Sequence, residues 1–171
     1  MEPSVIITPD TPEKYRPLAA EIVPPLLALL RERSALEEEI YQRYCTLKEA
    51  FLLAGGSKSQ APPDSTALFE EYHQRYLELA APRCAPGFLK YGATASFARP
   101  AKYSYLDTDG EYLLAFTMRS PQKALVETSY PRGSLRFIHR FTLRPGPEGW
   151  LIAKIEYHHS NESTWHIDHY L

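Results

Sequence analysis

The stretch Leu135-Arg-Phe-Ile-His-Arg-Phe-Thr-Leu-Arg144 alternates apolar and polar side chains along most of its length, with exceptions at Ile138 and His139. Successive side chains of a β-strand point to opposite faces of the sheet. The inward set would be Leu135, Phe137, His139, Phe141 and Leu143, and the outward set Arg136, Ile138, Arg140, Thr142 and Arg144. This pattern predicts a strand with one buried and one solvated face, which is typical of an antiparallel sheet covered on one side.

Turn-forming residues on both sides of this stretch divide the carboxyl-terminal half of the chain into further strands. Asp109-Gly110 predicts a hairpin turn, because both residues tolerate the positive φ that a type I′ turn requires. Pro131-Arg132-Gly133 and the segment 145–149 predict two more turns. The remaining predicted strands are Lys102–Leu106, Tyr112–Arg119, Leu125–Tyr130, Trp150–Tyr157 and Trp165–Tyr170. Together they predict a curved antiparallel sheet over about residues 88–171.

The amino-terminal half has a helical period instead. Asp10 followed by Glu13 has the form of a capped helix start. Pro17 and then Pro24-Pro25 should interrupt that helix, because proline lacks the N–H donor and clashes with the preceding turn. We expect the proline pair to restart a long helix that runs to Phe51, with apolar residues at every third or fourth position.

A third predicted helix completes the helical part and fixes the fold class. Gly55-Gly56 should end the second helix, and the third would begin at Asp64 or Ser65 and stop before Pro82. Helices followed by antiparallel strands pack as two layers, with the helices on the apolar face of the sheet. The sequence therefore predicts one α+β domain over residues 1–171, helical from about 10 to 81 and with a curved antiparallel sheet after it.

Composition excludes several classes of function. The 171 residues carry a formal net charge of -2, which lacks the basic excess that direct nucleic-acid binding usually requires. No apolar run approaches the roughly 20 residues that a membrane helix needs, and no secretory signal is predicted at the amino terminus. Cys45 and Cys84 lack the basic neighbours that would lower a thiol pKa, so both are interpreted as structural, and a reducing cytoplasm is expected.

His139 is the candidate general base of an enzyme with this architecture, because it lies in the apolar phase of its strand. Glu127, Tyr103 and Tyr105 are its candidate partners. The simpler interpretation is a core histidine whose ring is satisfied, and on that interpretation no catalytic residue is predicted. The alternative function is a small-molecule-binding enzyme or carrier, which would require a polar, empty pocket beside His139.

A group of potential metal ligands lies at the end of the sequence, made of His158, His159, His166, Asp168 and His169. His166 and His169 would lie on opposite faces of an extended segment, and no cysteine is near them to complete a familiar zinc spacing. The interpretation is chance clustering on a surface edge. No metal and no cofactor is predicted.

Three segments carry a resemblance to a known family: Arg99-Pro-Ala-Lys-Tyr-Ser-Tyr-Leu106, Gly149-Trp-Leu-Ile-Ala-Lys-Ile-Glu-Tyr157 and Thr164-Trp-His166. In this order, after a helical part, they resemble the immunity proteins of nuclear transport factor 2 fold. The resemblance runs from about Phe69 to the end of the chain and implies a cone-like sheet wrapped around the helices. It also implies architectural roles, as a kinked strand entry and aromatic fillers, for Pro100, Tyr103, Trp150, Tyr157 and Trp165.

The function that the resemblance implies is self-protection in bacterial competition, without catalysis. Such a protein binds a cognate polymorphic toxin, encoded by the adjacent gene and delivered by contact as in type VI secretion, in a tight 1:1 complex. A further alternative is a homodimer that pairs through the arginine-bearing face of the 135–144 strand.

Predicted partner-binding residues lie in an acidic run and in the first hairpin. Glu37 and Glu38, next to Tyr41, lie mostly off the apolar stripe of their helix, so they are most simply a solvated face. That face would suit a basic toxin such as a nuclease, because opposite charge raises the rate of association. Asp109 and Glu111 complete the predicted set.

Overall fold

The computed structural model describes residues 4–89, 112–168 and 171. Its helices are α1 (Ala19–Leu53) and α2 (Ser65–Ala80), with short 3-10 helices at Glu13–Leu18 and Ala81–Arg83. Its strands are β1 (Val5–Ile7), β2 (Leu113–Ser120), β3 (Lys123–Arg132), β4 (Leu135–Gly146), β5 (Gly149–His159) and β6 (His166–Asp168). The α+β class is confirmed. The predicted strand Lys102–Leu106 and the Asp109-Gly110 turn lie outside the described residues.

The described strands form one open sheet in the order β1-β2-β3-β4-β5-β6, and this sheet is mixed. Strands β2 to β6 pair antiparallel with their neighbours, as predicted, but β1 pairs parallel with β2 in the register Ile6 opposite Ala115. The prediction of a purely antiparallel sheet is therefore wrong at this edge. A parallel neighbour needs no local turn, so no sequence signal near Val5 announces its partner.

Helix α1 is continuous where the sequence predicts a break. Pro24 and Pro25 lie in its second turn, so the carbonyls of Ala20 and Glu21 lose their usual helical donors. The surrounding side chains Ile22, Val23, Leu26 and Leu27 are all buried. Their packing against the sheet outweighs the local loss, so the prediction that Pro24-Pro25 restarts the helix is wrong.

The predicted capped helix start at Asp10 is wrong, because only a 3-10 helix begins nearby, at Glu13, and it has no side-chain cap. The predicted end of the long helix and both ends of the helix after it are confirmed. Helix α1 stops at Leu53, and Gly55 follows with φ +90°. The Gly55 N–H donates to the Leu52 carbonyl at 3.0 Å and the Gly56 N–H to the Phe51 carbonyl at 2.9 Å, which is a Schellman motif. Helix α2 begins at Ser65 and ends before Pro82.

One hydrophobic core joins the helices to the inner face of the sheet. A row of fully buried side chains crosses four strands in register: Phe116, Val126, Phe141 and Ile155. Against it packs the apolar stripe of α1, which includes Ile22, Leu26, Leu30 and Ile40. The predicted inward set of β4 is confirmed at His139, Phe141 and Leu143, all buried. No helix among the described residues is both long and apolar enough to cross a membrane.

Candidate functional site

The outer face of the sheet points away from the helices. Its central row pairs in register across all six strands, and consists of Ile6, Ala115, Glu127, Arg140, Glu156 and Ile167. Residues two or four positions away along each strand share this face, because strand side chains alternate. We use the name outer face for this set of residues.

Trp165 lies at the centre of an ordered cluster on the outer face. The Arg140 guanidinium carbon is 3.8 Å from the centroid of the Trp165 ring, and the His158 ring meets the same indole edge-on at 4.2 Å between centroids. Arg140 is also ion-paired to Glu127, with its Nε at 2.8 Å from the Glu127 Oε1. The Arg140 guanidinium contacts both the Trp165 ring and the Glu127 carboxylate, so it keeps one geometry and the cluster is preorganised.

The outer face has a basic excess. On β3 to β5 it carries five basic residues, Lys123, Arg136, Arg140, Arg144 and Lys154, against the two acidic residues Glu127 and Glu156, a net charge of +3. Lys154 is held by Glu156 at 2.6 Å between Nζ and Oε1. Helices α1 and α2 carry nine acidic and five basic residues. Among the described residues, the outer face of the sheet is therefore basic and the helical layer is acidic.

Apolar side chains lie among these charges. Five large apolar side chains of the described residues are strongly exposed, and three of them, Ile6, Leu113 and Ile167, belong to the outer face at 51%, 51% and 54% exposure. Aromatic and arginine side chains with apolar neighbours form the energetic centres of protein–protein interfaces. The arrangement can bind another protein without any chemical step.

The architectural role that the resemblance implies for Trp165 is wrong. The resemblance implies an aromatic filler, whereas the side chain is half-buried and stacks on Arg140 outside the core. Trp150 is also half-buried but packs against the core, as expected of a filler. Pro100 and Tyr103 lie outside the described residues. The outward phase of Arg140 was predicted, but its contact with Trp165 depends on the register of three strands, which no local pattern gives.

The predicted acidic surface is only partly assembled. Glu38 is exposed and Tyr41 half-buried, whereas Asp109 and Glu111 lie outside the described residues. Glu37 is 8% exposed, so its prediction as part of a solvated face is wrong. Contact of these residues with a partner stays a prediction.

The Glu37 carboxylate can be buried because an oppositely charged side chain lies one helical turn away. Its Oε2 lies 2.7 Å from a terminal nitrogen of Arg33, the residue that interrupts the apolar stripe of α1. Burial raises the Glu37 pKa and the Arg33 charge opposes that rise. Burial, and then the Glu37 charge, raise the pKa of Tyr72 on α2 to about 12. This buried pair therefore lies between the helices and is no part of a docking surface.

His139 faces the core, as predicted, but its candidate partner Glu127 does not. Its ring lies 6.3 Å from that of Tyr130 and 6.1 Å from that of Tyr157. Desolvation lowers the His139 pKa to about 4, and the nearby His159 adds to the effect. Glu127 lies on the outer face against Arg140, so it cannot assist His139, and Tyr103 and Tyr105 lie outside the described residues.

The terminal histidines point to different faces. His158 lies on the outer face beside Trp165, whereas His159 and His166 lie on the inner face near the Glu162 carboxylate, at 4.0 and 3.4 Å. In the described part of the chain no group of three or more His, Cys, Asp or Glu side chains is placed to hold a metal ion. His169 lies outside the described residues.

The two cysteines are free thiols. Cys84 is buried beside β5, where its main chain forms a parallel bridge with Ile152, and desolvation raises the pKa of its thiol to about 12. Cys45 is half-buried on α1. A buried thiol with a raised pKa is a poor nucleophile, which agrees with a structural role for Cys84.

A cleft of about 850 Å³ opens at the end of the β4–β5 hairpin. Helix α1 contributes Pro25 and Leu29 to its wall, and Pro82, Pro147 and Trp150 are among its other apolar lining residues. Three charged residues lie at this cleft, Glu21, Arg83 and Glu148. Among the described residues its lining is mostly apolar.

The outer face is the candidate site because its composition and its ordered Trp165 cluster are those of a protein-binding surface. No protein-family model, no curated protein and no solved structure matches the chain.

Proposed function

We propose that this chain is an immunity protein, which binds the toxin encoded by the adjacent gene in a 1:1 complex and blocks it by occlusion. The observation that carries the proposal is the resemblance over Arg99–Leu106, Gly149–Tyr157 and Thr164–His166. The resemblance implies helices followed by a sheet, and this agrees with the order of α1 and α2 before β2 to β6. The protein performs no chemistry and acts in the cytoplasm of the bacterium that makes the toxin.

The finer fold assignment, a cone of the nuclear transport factor 2 type, belongs to this proposal. Its support is that α1 and α2 pack on one face of an open sheet whose long strands β3, β4 and β5 lie side by side. The described helices pack on the inner face of this sheet and not on its other face. The ordered cluster of Trp165 and Arg140 on that face supports a binding function.

The test is co-purification of this protein with the product of its adjacent gene, followed by titration calorimetry. We expect a 1:1 complex of nanomolar affinity, and we expect growth to be restored in cells that express the neighbouring gene when this protein is supplied. A neighbour that is harmless to cells and does not bind would reject the proposal.

A second candidate function is small-molecule binding at the inner face. The observation that favours it is a polar row, Thr128, His139, Tyr157 and His166, which pairs in register across four strands. Thr128 is fully buried, and its hydroxyl has no hydrogen-bond partner among the described residues. Native mass spectrometry of the purified protein should then show a bound small molecule that His139→Phe abolishes, and a mass equal to the bare chain would reject this candidate.

A further inference from the structure

We infer that the toxin docks on the outer face of the sheet, with an acidic surface of its own against the basic residues and Trp165 at the centre of the contact. This inference rests on the proposed function, and it names the surface and the chemistry of the partner. It also departs from the acidic surface that the sequence predicts around Glu38.

The outer face is large enough for a specific complex. Six strands are separated by five spacings of about 4.8 Å and average about eight residues of about 3.3 Å rise, which gives a surface of roughly 630 Å². One partner of a standard complex contributes about 600–1,000 Å², so the outer face reaches the lower end of that range. Arg140 lies on β4, near the middle of this area, and the Trp165 ring contacts it from the residue before the edge strand β6, close to the exposed Ile167. A preorganised aromatic and arginine pair surrounded by a polar rim is the usual form of a binding hot spot.

The charge of the outer face determines the chemistry of its partner. Two copies of this face would bring a net charge of +3 against +3, so face-to-face pairing of the chain with itself is disfavoured. An acidic surface removes that repulsion and is attracted at a distance. The partner therefore presents carboxylates to Lys123, Arg136 and Arg144, the basic residues that lie around the cluster.

A protein fits this face better than a nucleic acid does. Arg140 and Lys154 are each engaged by a carboxylate, Glu127 and Glu156, and both carboxylates would repel phosphates. Nucleic-acid affinity comes mainly from several basic side chains that are free to replace counterions. The exposed Ile167 also has no partner on a phosphate backbone, whereas it can be buried by an apolar side chain of a protein.

The experiment compares three variants for binding to the product of the adjacent gene by calorimetry. Trp165→Ala should weaken binding about 30-fold or more, because truncation of a central aromatic side chain has that effect at interfaces. Arg144→Glu, at an exposed position of the same face, should weaken binding about tenfold at low salt and less at high salt. Lys58→Glu, in the exposed loop between α1 and α2, is the matched control and should bind as the wild type does.

Each outcome is decisive. Full-strength binding by both outer-face variants would overturn the inference and leave the proposed function standing, whereas no complex with the wild type rejects the proposed function and this inference with it. If Trp165→Ala lowers the melting temperature, Arg144→Glu alone decides, because its side chain is exposed.

Light scattering that shows a dimer lost in Arg144→Glu would overturn the inference in favour of a second copy. Fluorescence anisotropy that shows a DNA oligonucleotide bound at 0.15 M salt, and released by Arg144→Glu, would overturn it in favour of nucleic acid.

Discussion

At the scale of single residues, His139 links the stability of the protein to pH. Its pKa in the folded protein is about 4, because burial disfavours the charged ring, against 6.5 in the unfolded chain. Below pH 6.5 the unfolded chain therefore binds a proton that the folded protein does not bind. The neutral ring is compatible with the fold at neutral pH, and stability is lost as the pH falls from about 6.5 towards 4.

We expect the free energy of unfolding to fall between pH 7 and pH 5, and about 2 kcal/mol of that fall to come from His139. In His139→Phe this part should vanish, because a phenyl ring does not titrate. The measurement is urea unfolding of both proteins at the two pH values. Glu71, whose pKa is lowered to about 2 by hydrogen bonds to Arg43 and Arg75, titrates below this window. An equal fall in both proteins would show that His139 is not the source.

The two thiols should differ in reactivity. With Ellman's reagent at pH 8, we expect Cys45 to react in the folded protein and Cys84 to react only after unfolding, because burial raises the Cys84 pKa to about 12. Cys45→Ser and Cys84→Ser assign the two phases. Rapid modification of Cys84 in the folded Cys45→Ser protein would contradict the burial of that thiol.

At the scale of elements, the sequence predicts a helix end or a strand well where nearby residues determine it. Gly55 and the strand alternation at 135–144 are local signals, and both are confirmed. Pro24-Pro25 is a local signal that tertiary packing overrides, since the helix around it buries its apolar side chains. Strand β1 and the contact of Arg140 with Trp165 depend on partners distant in sequence, so no periodicity could give them.

The end of α1 gives a test of one such local cause. Gly55→Ala should lower the free energy of unfolding by about 1 kcal/mol, because an L residue is strained at φ +90°. Gly55→Asn should cost less, since asparagine tolerates the left-handed region. No side chain or backbone atom lies within 4 Å of a Cβ built at Gly55, so crowding does not contribute. Equal unfolding free energies for wild type and Gly55→Ala, measured in urea, would contradict the strain argument.

At the scale of the whole molecule, Leu171 joins the helical layer to the end of the sheet. Its side chain is 1% exposed and belongs to the core. Its backbone N–H donates to the Tyr76 hydroxyl at 3.2 Å, and its carbonyl oxygen accepts from the Arg33 Nε at 2.9 Å. Together with the ion pair to Glu37, these contacts explain why Arg33 interrupts the apolar stripe of α1.

We therefore expect Leu171→Ala to destabilise the fold by about 2–5 kcal/mol, the usual loss when a large aliphatic side chain is truncated in a core. Tyr76→Phe removes one hydrogen bond and retains the ring, so it should cost only about 1 kcal/mol. Both values come from urea unfolding at pH 7. Leu53→Ala is the control, because that leucine is 89% exposed and its truncation should change little. If Leu171→Ala were as mild as Leu53→Ala, Leu171 would contribute no packing to the core, and the link between helices and sheet would have to lie in other side chains.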